Sequence, residues 1–216
     1  MLFLGGLISG ALSSFCSAAC SLAGGLIGSL STGIVSALSL AGPLVSIAIG
    51  LVKGIADILG IGEKEEKPEE LGLKAVKADK KLEDFDSFEE YKSYLDKINL
   101  SKEDLAELDN PTKKFVYKSI GIGVYIKGIN EHYGMEIPIS TYIKMADLGI
   151  NSSKEAKTVL DTYKDKNINP DIKKAVNSEL GLSEAKQIVG TLKEGIAKLE
   201  NGDNILAKLD KMLEEI

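Results

Sequence analysis

The first 52 residues of the chain contain no charged side chain. Lys53 is the first, and Asp57 is the only other before Glu63. A stretch of about 18 apolar residues already suggests a bilayer span, and this one is far longer. Residues 63–216 hold the remaining 25 Lys and 31 acidic residues. The chain therefore divides into two solvent regimes near residues 60–63. The charge of −6 belongs wholly to the polar part, because Lys53 and Asp57 cancel. A net negative surface is repelled by nucleic acid and by anionic lipid.

Every basic residue is Lys, with no Arg, no Trp and one His. Bidentate recognition of phosphate or carboxylate usually uses guanidinium, so sequence-specific nucleic-acid reading and Arg-assisted phosphoryl transfer are not expected. Codon bias in an AT-rich genome also explains the absence of Arg. The two thiols, Cys16 and Cys20, lie four apart inside the apolar run. They read as small helix-packing residues; S-acylation near a membrane is the lesser alternative. No His or acid adjoins them to complete a metal site. Met1–Leu4 lacks the basic start of a signal peptide. Ser17-Ala18-Ala19-Cys20 has the small-residue form of a lipobox without its leading aliphatic residue.

Within the apolar run a short phrase recurs. Gly5-Gly6-Leu7-Ile8 returns as Gly24-Gly25-Leu26-Ile27 and as Gly42-Pro43-Leu44-Val45. The offsets of about 18 residues match five helical turns and a rise of about 27 Å, close to a hydrocarbon thickness. Small residues also recur at spacing four: Gly6/Gly10, Ala19/Ala23, Gly24/Gly28, and the longer row Gly42/Ser46/Gly50/Gly54. Gly inside a helix costs about 1 kcal/mol relative to Ala in water. In lipid the same residues let two backbones approach closely. The helix-packing candidates are therefore Gly6, Gly10, Gly24, Gly28, Gly42, Ser46, Gly50 and Gly54. Ser29-Leu30-Ser31-Thr32-Gly33 interrupts the run and predicts a hairpin, with helices over 3–28 and 34–60. Pro43 is expected to kink the second helix or to shift its start.

Residues 63–70 read as a charged linker broken by Pro68. Beyond them helix punctuation is dense. Ser87-Phe88-Glu89-Glu90 and Ser101-Lys102-Glu103-Asp104 have the form of capping boxes. Asn110-Pro111 predicts a helix running to His132 or Tyr133 before Gly134. Ser140, Asn151–Ser153, Asn169-Pro170, Ser183 and Asp203 are expected to open further helices. Core faces are read at Phe115, Ile122, Ile126 and Ile129, and at Ile188, Leu192, Ile196 and Leu199. The tail from Ile205 to Ile216 is amphipathic and is expected to close the core; pairing with a second copy is the alternative. Leu148-Gly149-Ile150 and Leu180-Gly181-Leu182 form a duplicated phrase, read as two generic helix joints. Met135–Ile139 is the only β-like stretch, weakened by Pro138.

The spacing of residues thus predicts an all-α protein: a hydrophobic Gly/Ser/Ala-rich transmembrane-type hairpin at 1–62, a linker at 63–70, and an acidic multi-helix soluble domain at 71–216. No catalytic, cofactor-binding or metal-binding set is found. His132 reads as a helix-end histidine with Glu131 and Glu136 nearby. Glu65/Glu66 and Glu89/Glu90 read as solvated faces, and Gly121-Ile122-Gly123 lacks the preceding strand of a dinucleotide site. The expected function is a non-enzymatic membrane-inserting protein, an anchor or a pore-forming, membrane-active effector. Its partners would be a lipid bilayer or a hydrophobic protein lumen, in a homo-oligomer or larger assembly, without nucleic acid. The expected location is a bacterial or target membrane, reached in one version from a secreted or virion-like particle. The alternative is a structural part of a phage tail-like or secretion assembly, with the apolar segment shielded by protein.

Overall fold

The computed structural model describes residues 42, 44–62 and 65–214. Every regular element among them is helical, which agrees with the all-α expectation. Residues 3–28 and the start of the second expected helix lie outside the described residues. The ten α-helices named here are α1 (Leu44–Leu59), α2 (Pro68–Lys77), α3 (Phe88–Asp96), α4 (Lys102–Ala106), α5 (Pro111–Tyr133), α6 (Ile139–Leu148), α7 (Ser153–Lys166), α8 (Ile172–Val176), α9 (Leu182–Ile196) and α10 (Gly202–Glu214). Single 3-10 turns occupy Leu82–Asp84 and Glu107–Asp109.

The helix starts follow local chemistry. Ser87 Oγ accepts a hydrogen bond from the Glu90 N–H at 3.2 Å. Ser101 with Asp104, and Ser152 with Glu155, form reciprocal capping boxes. Asn110 Oδ1 accepts from the backbone N–H groups of Thr112 and Lys113, at 3.0 and 3.1 Å. Several joints differ from expectation: α6 opens at Ile139 after Pro138, ahead of Ser140, and α9 opens at Leu182, ahead of Ser183. Asp171, not Asn169, caps α8, because Asn169 Oδ1 is taken by the Glu136 N–H at 3.1 Å. Gly149 ends α6 with φ 101°, whereas Gly181 begins α9 with φ −60°, so the duplicated phrase forms two unlike joints. The β-like stretch is no strand. Asn130 gathers it instead, its backbone carbonyl accepting from the Met135 N–H and its Oδ1 from the Ile137 N–H.

The described residues fall into two compact units. The first comprises residues 60–128; the second joins 42–59 to 129–214. α5 contributes its first part, to Gly128, to the first unit and its last turn to the second.

In the first unit α2 crosses α5 at two glycines. A Cβ on Gly72 would lie 1.8 Å from the Tyr117 carbonyl oxygen, and one on Gly121 would lie 1.8 Å from the Pro68 carbonyl oxygen. Only hydrogen fits at either position. α5 is buried around its circumference between Ser119 and Ile126, not along a single stripe. The Ser119 hydroxyl is buried there and donates to the Phe115 carbonyl at 2.8 Å, so it needs no outside partner.

In the second unit α1 packs against α6 and α7, and α9 packs against α7 and α8. Ile188, Leu192 and Ile196 are buried as expected, while Leu199 is half-buried. Ile205 and Leu209 of α10 are buried, and Leu206, Met212 and Leu213 are partly so.

Gly121→Ala should destabilise the first unit by about 3 kcal/mol or more, because a backbone carbonyl cannot swing aside. Gly190→Ala is its control, since a Cβ there meets nothing within 4 Å. It should gain about 0.5–1 kcal/mol from helix propensity alone. Urea unfolding followed by circular dichroism reads both; equal midpoints would refute the crossing.

Candidate helix-packing site

α1 is the described end of the uncharged run. Among the described residues it runs from Leu44 and ends before Gly60. At 16 residues it rises about 24 Å. No helix among the described residues is long and apolar enough to cross a membrane.

Ala48, Ile49, Leu51, Val52, Ile55 and Ala56 form its buried face. They meet α6 and α7. Burying the four larger side chains contributes on the order of 6–12 kcal/mol as an upper estimate. That is comparable with the whole stability of a domain, so α1 is part of the second unit's core. Lys53 and Asp57, four apart, pair on its half-exposed side.

The expected small-residue row divides by position. Gly6, Gly10, Gly24 and Gly28 lie outside the described residues. Gly42 has φ +54° and sits in a turn before α1, so it does not share the helical row. Ser46 and Gly50 lie on the exposed side of α1, and a Cβ on Gly50 meets nothing within 4 Å. Among the described glycines of the row, only Gly54 faces a close neighbour. A Cβ there would lie 2.0 Å from Ser153 Oγ and 2.7 Å from Ser153 Cβ. Ser153 Oγ in turn donates to the Gly50 carbonyl at 3.3 Å. The row thus gives α7 close access at its C-terminal end and leaves open surface at Ser46 and Gly50. Sequence spacing could not find Ser153, which lies about a hundred residues away.

The first unit holds two charge clusters. Glu66, expected to be solvated, is buried. Lys74 Nζ donates to its Oε1 at 2.8 Å, and Lys92 Nζ lies 3.1 Å from its Oε2, near enough to pair but not aligned as a hydrogen bond. Lys92 also pairs with Asp96. Burial opposes the charge on Lys92, yet the hydrogen bond to Asp96 and the charges of Glu66 and Asp96 outweigh it and raise its pKa. Both partners are needed, since an unpaired buried charge is costly. In the second cluster Lys77 bridges Asp104 at 2.7 Å and Glu107 at 2.9 Å. Tyr117 donates to Glu107 Oε2 at 2.6 Å. The hydrogen bond from Lys77 lowers Asp104 to about 2. Those from Tyr117, Lys77 and Lys113 lower Glu107 to about 2.

His132 is exposed at the end of α5, edge-on to Tyr133 with centroids 5.3 Å apart. Its pKa is lowered by what burial its ring has, then by the Lys164 and Lys157 charges, with Asp161 opposing. The charges of Lys164, Lys157 and Asp161 that act on it sit on α7. Among the described residues no group of three or more His, Cys, Asp or Glu side chains is arranged to hold a metal ion.

No protein-family model, curated protein or solved structure matches this chain.

Two measurements check this geometry. Gly54→Leu should cost the second unit about 3 kcal/mol or more by pushing α1 off Ser153. Gly50→Leu should leave stability unchanged or raise it by up to about 1 kcal/mol. Reversed effects in a thermal melt would contradict the placement of α1. The charge cluster gives a pH dependence. Asp104 and Glu107 have folded pKa values below their ordinary 3.8 and 4.5. Their contribution is therefore present above about pH 4.5 and lost as pH falls toward about 2. Solvent screening keeps it modest, because both carboxylates are partly exposed. Lys77→Met should lower stability at neutral pH and make the loss below about pH 4.5 shallower.

Proposed function

We propose that this chain is a non-enzymatic membrane-inserting protein. Its glycine-rich apolar residues would enter a bilayer and associate there, and the acidic helical units would supply solubility and a docking surface. The observation that carries this reading is the stretch of 52 residues without a charge. Glycine pairs four apart within it, Gly6/Gly10 and Gly24/Gly28, suit helix association where the surroundings are apolar. The open, exposed Ser46 and Gly50 extend the same spacing onto α1. The chain would act as an anchor or a pore, as a homo-oligomer, at a bacterial membrane or one to which it is delivered.

A second reading is favoured by a different observation. The apolar face of α1 is already covered by protein. If residues 1–43 are covered in the same way by other chains, the protein is a structural component of a phage tail-like or secretion assembly. No nucleic acid is expected in either case.

Dye-loaded phosphatidylcholine vesicles separate the readings. The comparison is between the full chain and a truncated chain starting at Gly42. A chain starting at Glu63 would be a poor control, because losing α1 uncovers α6 and α7. The full chain should float with the vesicles, and accompanying dye release would favour a pore over an anchor. The shorter chain should remain in the dense fractions. A full chain that behaves like the shorter one, and is recovered only within a protein particle, would replace the membrane reading with the second.

Gly50→Leu adds a finer check. It should weaken self-association of the membrane-bound chain while leaving thermal stability intact. Unchanged oligomer size by chemical cross-linking would remove Gly50 from the packing surface.

A further inference from the structure

We infer that the outward face of α1 at Ser46 and Gly50 is the seat of the chain's own residues 34–41, folded back on it as the first arm of a helical hairpin when no lipid is present. This goes beyond both readings above and requires neither. α1 keeps its place on α6 and α7, and only its open side is concerned.

The backbone at Gly42 is the first ground. Its φ of +54° is left-handed, so the single helix expected over 34–60 is divided there. A left-handed Gly followed by Pro is a common way for a helix to end, and Gly42-Pro43 has that order. Residues 34–41 hold no Gly, no Pro and no charge. They end directly beside the start of α1 at Leu44. So short a connection between two helices returns the chain antiparallel along its neighbour.

The face itself is the second. Ser46 and Gly50 are exposed, Ile47 beside them is half-exposed, and a Cβ on Gly50 would meet nothing within 4 Å. Farther along α1 the opening closes. Ser153 fills the space at Gly54, and the Lys53–Asp57 pair follows. The open seat is therefore about two turns long, the length of residues 34–41.

The third is complementary size. Ile34 and Leu38 are four apart, as are Ser46 and Gly50. The antiparallel return brings Leu38 level with Ser46 and Ile34 level with Gly50, each within about one residue's rise of 1.5 Å. Two large aliphatic side chains thus meet two small residues, and rows of spacing four interlock. Burying Ile34 and Leu38 there removes apolar surface from water. Tethering through Gly42-Pro43 gives this segment a higher effective concentration at the seat than any second copy has.

Disulfide trapping in the full chain, without vesicles, tests this. Cys16 and Cys20 are replaced by Ser. One variant carries Leu38→Cys with Ser46→Cys, and the reference carries Ser36→Cys, on the opposite side of that arm, with Ser46→Cys. On mild oxidation the first pair should close within one chain, running as monomer on a non-reducing gel, and the reference pair should stay reduced. Adding Gly50→Leu to the first variant should lower its yield by about fivefold or more, while a thermal melt shows the second unit intact. Cross-linked dimers in place of monomers would make a second copy the occupant and overturn the inference. So would no closure of either pair, equal closure of both, or a yield unmoved by Gly50→Leu. Flotation with vesicles reads the membrane proposal separately, so either can fail alone.

Discussion

The second unit depends on an apolar face it does not own in sequence. Ile49, Leu51, Val52 and Ile55 reach α6 and α7 across an intervening stretch of nearly seventy residues. Without them the inner faces of α6 and α7, with Tyr142, Met145, Val159 and Leu160 buried among their residues, would lose cover. The amphipathic α10 closes another part of the same core. The unit is therefore assembled from a helix at the uncharged end of the chain and a polar-surfaced bundle. Each supplies what the other lacks, since Lys, Asp and Glu give 129–214 a charged surface and α1 adds aliphatic bulk.

Much of this fold is legible in the amino-acid sequence. Starts at Ser87, Ser101 and Asn110, the stop at Gly149, and the buried stripe Ile188, Leu192, Ile196 all follow from short-range rules, and short-range rules survive folding. What is not legible is long-range. Composition divides the chain near residue 62, but packing groups residues 42–59 with 129–214. Charge reports which side chains tolerate water, not which apolar surfaces will meet. The burial of Glu66 is hidden for the same reason: its partners Lys74 and Lys92 come from two helices that fold over it.

Glycine shows most plainly how one residue type serves unlike purposes. At Gly72 and Gly121 it brings two backbones together in the first unit. At Gly54 it makes room for the Ser153 side chain. At Gly42 and Gly60 it permits a backbone turn that other residues resist. At Gly50 and Gly190 nothing occupies the space. Spacing at four residues marks Gly42, Gly50 and Gly54 alike and misses Gly72 and Gly121 altogether. A hint is present at Gly121, which interrupts a helix otherwise rich in Ile, Val and Tyr. A helix accepts the propensity loss of such a residue where close packing returns more.

An apolar helix face cannot itself record whether lipid or protein covers it, because the hydrophobic effect is non-directional. Length and charge discriminate instead. α1 rises about 24 Å, short of a hydrocarbon core of roughly 30 Å. It also carries the first two charges of the chain, placed four apart so that Lys53 and Asp57 neutralise one another. An isolated Lys or Asp at the middle of a bilayer costs about 2.5–3.5 kcal/mol, and pairing reduces that. α1 therefore combines a face suited to either surrounding, a length suited to protein, and a charge pair that moderates the penalty of lipid. This combination is what separates it from an ordinary core helix and makes it the natural junction between the uncharged run and the helical units.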